Sequence, residues 1–385
     1  MERVDRREFL KKATVGAAGA GLLAGCGDGG SPGVVATAEA AAAVQGPEVS
    51  WRVATSYPPS LDILHGSAER VGERISELTG GRFSMRVFAA GEIVPPLQVM
   101  DAVQQGTVQA GLTNGYYYIG KNPALAFDSA VPFGLTSRQQ FSWMMHGGGL
   151  ELMESIYSDF GIVPIPCGNT GAQMGGWFRE PVESLADLQG LRFRIPGIGG
   201  EIMTRLGASV QVLGGPEIYP ALERGAIDAT EWVGPYDDEK LGFHEIAPNY
   251  YLPGWWEPGP AMTLQVSQAA YDELPPSYQL LLRTVCSEIY HDMVARYDAE
   301  NPKALDRLVN EHGVTLRTFS DDILQAAWRE SNAYLEEMAS ANPDFRQVYD
   351  NWSAYRDLAF PFFAGNEMHY AQAAFGQLPN PFMGG

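Results

Sequence analysis

Hydrophobic and polar positions along this chain fall into blocks that switch between a period of two and a period near three and a half. Residues 49–54 alternate as a strand. Residues 61–78 repeat at helical spacing until Thr79-Gly80-Gly81 stops them. A second strand is predicted at 82–88, apolar at Phe83, Met85 and Val87, and a helix at 96–105, ended by Gly106. A third strand follows at 108–113. Strands alternating with helices predict an α/β fold with a largely parallel sheet and a ligand site at the strands' carboxyl ends. Further helices are expected at 137–146 and 150–160, and a strand at 261–267. From Pro275 the pattern is almost wholly helical, with segments at 278–311, 321–338 and 345–358. This is more helix than two α/β lobes need. Residues 360–385, rich in Phe, Gly and Pro, predict no definite element.

Two passages echo each other. "DAVQQGTVQAGLT" from Asp101 and "PALERGAIDATEW" from Pro220 both read as helix, glycine, short strand, polar end. Their separation suggests two similarly built lobes with a cleft between them. The first copy runs into Asn114-Gly115 and then Tyr116, Tyr117 and Tyr118; the second runs into Glu231-Trp232. Three consecutive tyrosines cannot all point inward from one strand, so at least one should face a cleft or solvent.

The stretch "GAIDATEWVGPYDDEKLG", 225–242, concentrates the candidate chemistry. Residues 226–229 read as a strand that delivers Glu231 and Trp232 just before Gly234 and Pro235 break the chain's direction. A carboxylate beside a Trp at a strand's end marks a site, or else a capping Glu and a core Trp; the stretch alone admits both. In Arg192-Phe193-Arg194-Ile195 the two arginines share a strand face, and Pro196-Gly197 ends the strand at once. That puts Arg194 at the rim, where a guanidinium fork can hold a carboxylate. Gln173 lies in a glycine-rich, strand-like run, and Glu257 is the single acid in the aromatic "YYLPGWWEPGP".

The N-terminus adds an address. Arg6-Arg7 and Phe9-Leu10-Lys11 precede about a dozen apolar small residues, too short to span a bilayer. The pattern is a twin-arginine export signal, and Leu23-Ala24-Gly25-Cys26 resembles a lipobox that would make Cys26 the acylated first residue. Residues 27–47 read as a flexible tether. The net charge of −20 argues against nucleic acid and anionic membrane surfaces, so an anionic ligand needs local positive charge. Beyond Cys26 only Cys167 and Cys286 remain, which could form a disulfide or stay as buried thiols.

With "RIPG", "ATEWVGPYDDEKLGF" and "YYLPGWWE" in view, everything after residue 48 resembles the solute-binding subunits of tripartite ATP-independent periplasmic (TRAP) transporters, in the branch that binds 2-oxo acids or lactate. The resemblance implies a two-lobed periplasmic-binding-protein (Venus-flytrap) fold with a hinge and an extended helical C-terminus. Lobe I would comprise 48–169 and 258–300, and lobe II 170–257 and 301–340. Residues 341–385 would form a dimerisation tail. It implies that Arg194 grips the ligand carboxylate. Glu231, Trp232 and Glu257 would hold one hard cation, Ca²⁺ or Na⁺, while Gln173 and Tyr116 or Tyr117 lie near the ligand. A 2-oxo or 2-hydroxy carboxylate offers two adjacent oxygens to such an ion, and carboxylate and carbonyl oxygens suit a hard cation rather than zinc. The implied partners are a small carboxylate, a membrane permease and a second copy. The implied location is extracytoplasmic, with no enzymatic activity. The competing readings are an exported metal-assisted enzyme using Glu231 or Glu257 as a base, and a ligand-sensing partner of a membrane receptor. No Cys-x-x-Cys and no dinucleotide fingerprint set between strand and helix supports the enzyme.

Overall fold

A computed structural model describes residues 43–377. The export signal, Cys26 and most of the tether therefore lie outside the described residues. Four strands come first among the described residues: β1 (Val49–Thr55), β2 (Phe83–Phe88), β3 (Ala110–Thr113) and β4 (Ile162–Asn169). Five short ones follow: β5 (Trp177–Phe178), β6 (Arg192–Arg194), β7 (Ser209–Gln211), β8 (Ala229–Thr230) and β9 (Asn249–Leu252). β10 (Ala261–Ser267) and β11 (Thr315–Thr318) come last. They form two sheets, one ordered β2-β1-β3-β10-β4 and the other β11-β9-β5-β8-β6-β7. Each sheet carries its own helices, which gives a mixed α/β fold of two lobes.

The sheets are mixed, which corrects the expectation of a largely parallel sheet. β1 runs parallel to β2 and β3, but β10 is antiparallel to both β3 and β4. In the second sheet β5 opposes β8 and β9, while β6, β7 and β8 are parallel. The reason is connectivity. A parallel return needs a long crossover. β10 instead arrives from the other sheet through the short loop 253–260, and enters antiparallel.

Two such loops cross between the sheets and bond to one another. Residues 170–176 carry the chain from β4 to β5, and 253–260 carry it from β9 back to β10. Thr170 N–H donates to Pro260 O (3.2 Å), Gln173 N–H to Glu257 O (3.2 Å) and Gly254 N–H to Gln173 O (3.0 Å). Gly176, at φ 83°, lets the first crossover lie against β8, where a Cβ would stand 2.5 Å from Thr230 O. A third connection is the helix Pro276–Asn310, 35 residues long and so about 50 Å. Its first half packs Leu282, Val285, Cys286 and Ile289 into the apolar core with the first sheet, and its second half presents Tyr297 and Leu308.

The echo noted in the sequence is structural. Helices Val99–Gln104 and Gly215–Glu223 are each followed by a left-handed glycine, Gly106 (φ 69°) and Gly225 (φ 66°), then by β3 and β8. The tyrosine run lies beyond the third strand, as expected. It occupies a 3₁₀ turn, Gly115–Tyr118, because β3 ends at Thr113. The strand expected at 226–229 is shorter and later, being β8. Cys167 and Cys286 are buried free thiols.

The C-terminal helices pass from one lobe to the other. Asp321–Ala341 packs on the second lobe, where Arg205 bonds Glu337 (2.6 Å). Pro343–Phe363 returns to the first lobe, burying Phe345, Val348 and Trp352 beside Phe127 and Trp143. The stretch that predicted no element continues as helix through His369–Phe375. No helix among the described residues is long and apolar enough to cross a membrane.

Candidate functional site

β6 and β8 are adjacent parallel strands with Arg194 opposite Thr230, so their carboxyl ends deliver Arg194 and Glu231 side by side. Glu231 N–H donates to Arg194 O (3.2 Å), which fixes the register. Both side chains are 1% exposed and form an ion pair. The Arg194 fork also donates from Nε and from one terminal nitrogen to Leu213 O (2.9 and 2.8 Å). Trp232 lies under the guanidinium, whose carbon is 5.2 Å from the ring centroid. Arg192, two residues earlier on the same strand, is exposed and bonds Asp228. The two arginines share a strand face, and position along it separates them: Arg192 stands at the exposed amino end of β6 and Arg194 at the buried carboxyl end.

The loop after Trp232 is tied down by Asp238. Its carboxylate accepts from Val233 N–H (3.2 Å), Gly234 N–H (3.1 Å), Trp177 Nε1 (2.9 Å) and Tyr250 OH (2.8 Å). Burial raises Asp238 to about 6 even so. Its neighbour Asp237 is raised to about 7 by burial, against a hydrogen bond from Tyr297 OH at 2.6 Å, with Asp238 adding to the rise.

Asp237 makes stability fall with pH. Its folded value lies above its unfolded one, so its contribution is complete below about pH 4 and disappears as pH rises through about 7. The effect is at most about 4 kcal/mol. The melting temperature of the ligand-free protein is expected to drop between pH 5.5 and 8. Asp237→Asn should flatten that slope, as differential scanning calorimetry across this range can check.

Tyr116 and Tyr117 reach the cavity from the turn after β3, and Gln173 from the first crossover. Tyr116 OH donates to Glu257 Oε2 at 3.3 Å. Glu257 is 4% exposed and sits on the second crossover. Burial pushes it well above the usual carboxylate range, and the charge of Glu231 adds to that, opposed by Arg194 and by hydrogen bonds from Tyr116 and Gln173. Glu231 is raised to about 7 by burial, with Arg194 opposing. Burial likewise takes Tyr117 to about 12, again opposed by Arg194. Gln173 Oε1 is buried without a hydrogen-bond partner.

Arg194, Glu231, Trp232, Gln173, Tyr116 and Tyr117 all line one small cavity, and Glu257 adjoins it through Tyr116. The structure therefore brings together all of the expected ligand- and cation-binding residues that it describes. Sequence reasoning missed Tyr57, Leu64, Asn114, Thr170, Val233 and Met262, which complete the lining. Tyr57 and Asn114 follow β1 and β3, so the same strand-end argument finds them. Leu64 and Met262 carry no local signal.

The donor set can be tested for a cation. No group of three or more His, Cys, Asp and Glu gathers among the described residues, which does not suit zinc. Two buried carboxylates and an unpaired buried amide oxygen are hard donors, and an ion there would satisfy Gln173 Oε1 and offset charge that Arg194 alone cannot. The residues fit a hard cation.

Comparison with known proteins gives the family. The family described as "Bacterial extracellular solute-binding protein, family 7" matches residues 54–342. This chain belongs to that family. A Nostoc protein named monocarboxylate 2-oxoacid-binding periplasmic protein is 52% identical over 328 residues, covering 85% of this chain and 90% of its own length. A TRAP solute-binding protein from Bordetella bronchiseptica, a dimer with copurified calcium and picolinate, is 43% identical with a TM-score of 0.85, over 86% of this chain and 98% of that one. One from Pseudoalteromonas atlantica, with sodium and pyruvate, is 35% identical with a TM-score of 0.82, over 84% and 99%. One from Colwellia psychrerythraea, with calcium and pyruvate, is 34% identical with a TM-score of 0.82, over 85% and 99%. The protein is thus a TRAP-type extracytoplasmic solute-binding protein, a transport component and not an enzyme.

Proposed function

We propose that this protein captures a small 2-oxo or 2-hydroxy monocarboxylate, of pyruvate or lactate size, together with one hard cation, and presents it to a membrane permease. The observation that carries this reading is a buried guanidinium paired with one buried carboxylate at a small cavity, with a second buried carboxylate and an unpaired amide oxygen beside it. Arg194 would hold the ligand's carboxylate. Glu231, Glu257 and the Trp232 carbonyl would hold Ca²⁺ or Na⁺, and Gln173, Tyr116 and Tyr117 would orient the ligand. The cation supplies charge balance and takes the oxo or hydroxy oxygen. Mass spectrometry and metal analysis of freshly purified protein should find a small oxo or hydroxy acid with calcium or sodium. A nucleotide, sugar or amine in its place would contradict the reading.

Closure would be a hinge motion at 170–176 and 253–260, between a lobe of 48–169 with 258–300 and a lobe of 170–257 with 301–340. An electrostatic latch at the cleft edge supports this. Asp62, ahead of the helix Leu64–Leu78, meets Tyr236 OH (3.2 Å) and the Lys240 ammonium from beyond β8, and Arg296 (2.7 Å) from the long helix. Half-exposed pairs of this kind are worth about 1 kcal/mol or less. Lys240→Ala is therefore expected to speed pyruvate release about two- to five-fold by stopped-flow fluorescence, with a smaller effect at high salt. An unchanged release rate at low salt would dismiss the latch.

Residues 341–385 would serve dimerisation. Leu358, Phe362, Tyr370 and Phe375 are 62–80% exposed. Truncation after residue 357 should give a monomer by light scattering where the full chain gives a dimer. Export would follow the twin-arginine route, with Cys26 acylated and 27–47 as the tether.

A further inference from the structure

The cavity's wall on the first sheet differs in chemistry from the Arg194 side. Leu64, from the first turn of its helix, and Met262, at a bulge in β10, are both 1% exposed and both line the cavity. Tyr57 and Asn114 beside them are polar but already engaged. Tyr57 OH donates to Asn114 Oδ1, and Asn114 Nδ2 donates to Ala261 O at 2.9 Å. From the second lobe Val233 adds an apolar group, its N–H occupied by Asp238. Leu64, Met262, Tyr57 and Val233 belong to one continuous apolar cluster. Arg194 is the only cationic side chain among the described lining residues.

We propose that Leu64 and Met262 form the subsite for the ligand's alkyl group and set its upper length. This rests on the 2-oxo acid reading above and names which 2-oxo acids are taken. A methyl or ethyl group meets carbon on this wall. A second carboxylate set against this wall would be buried with no cation beside it and with the Tyr57 and Asn114 donors already engaged, a large penalty. A branched chain would need the volume that the Met262 thioether and the Leu64 isobutyl group occupy. A hydrophobic pocket discriminates by about 10- to 200-fold per added methylene or branch, so the ranking is measurable.

The test is calorimetric titration with pyruvate, 2-oxobutanoate, 4-methyl-2-oxopentanoate and 2-oxoglutarate, in buffer holding both Ca²⁺ and Na⁺. Wild type should prefer pyruvate or 2-oxobutanoate, with 4-methyl-2-oxopentanoate at least tenfold weaker and 2-oxoglutarate at least a hundredfold weaker. Met262→Ala and Leu64→Ala should each narrow the gap between pyruvate and 4-methyl-2-oxopentanoate at least tenfold, and leave 2-oxoglutarate weak. Met262→Leu, which conserves volume, should keep the wild-type order. If one alanine variant does not fold, the other carries the comparison. Folded alanine variants that keep the wild-type ranking overturn the subsite while leaving the 2-oxo acid reading in place. Failure of the wild type to bind any 2-oxo acid overturns that reading and the subsite with it.

Discussion

Alanine in place of Arg194 is expected to abolish ligand capture in a protein that still folds. The guanidinium is buried, paired with Glu231, and anchored by two bonds to Leu213 O. Truncating one partner of a buried, hydrogen-bonded charge pair costs about 3–5 kcal/mol. For binding, about 3 kcal/mol is already more than a hundredfold. Stability should fall as well, because Glu231 is left without its partner. Its raised value of about 7 lets it take a proton instead, which limits that loss. Arg194→Lys keeps the charge and loses the planar fork, so it should recover stability more than affinity. Circular dichroism establishes folding. Near-native affinity for pyruvate in folded Arg194→Ala would remove Arg194 from the site.

The second large effect concerns the cation. With Glu231, Glu257 and a ligand carboxylate ionised, the site holds three negative charges against Arg194. A monovalent ion leaves one charge uncompensated, while a divalent ion reaches neutrality. At 4 Å and an effective dielectric of about 20, one such charge is worth roughly 4 kcal/mol. Calcium is therefore expected to restore binding to chelator-treated protein at lower concentration than sodium. Glu257→Gln removes one charge while keeping an oxygen donor, and should weaken the calcium requirement far more than the sodium one. Burial and the charge of Glu231 favour the protonated form of the Glu257 carboxyl, which an ion there opposes, so calcium binding is expected to release protons. Proton release on calcium binding, read by calorimetry in two buffers of different ionisation enthalpy, checks that step. Full pyruvate affinity in chelator with only sodium present would contradict the divalent preference and leave the site's residues unaffected.

Much of this arrangement was legible in the chain because strand ends advertise themselves. Pro196-Gly197 after Arg194 and Gly234-Pro235 after Trp232 are local signals; β6 ends at Arg194 and β8 at Thr230, just before them. The resemblance then assigned roles that spacing alone left open. Strand direction was not legible: the apolar run of β10 reads the same in either orientation, and only the short loop 253–260 decides it. The end of β3 at Thr113 was legible, but the 3₁₀ turn that carries Tyr116 and Tyr117 to the cavity had no signal of its own. Contacts distant in sequence had no signature at all. Asp62 meets Lys240 across 178 positions, and Leu64 meets Met262 only through the folded core. The aromatic tail hid a helix because Pro361 and its glycines argue against one, while packing of Phe345, Val348 and Trp352 starts the helix that continues through it.

Oxo-acid binding and cation binding are expected to be one event in this cavity. The direct measurement is titration of pyruvate into metal-stripped protein by isothermal calorimetry, repeated with calcium present. No measurable binding is expected without a cation, and a one-to-one complex with it, lost in Arg194→Ala. Equal affinity for pyruvate with and without any cation would contradict it.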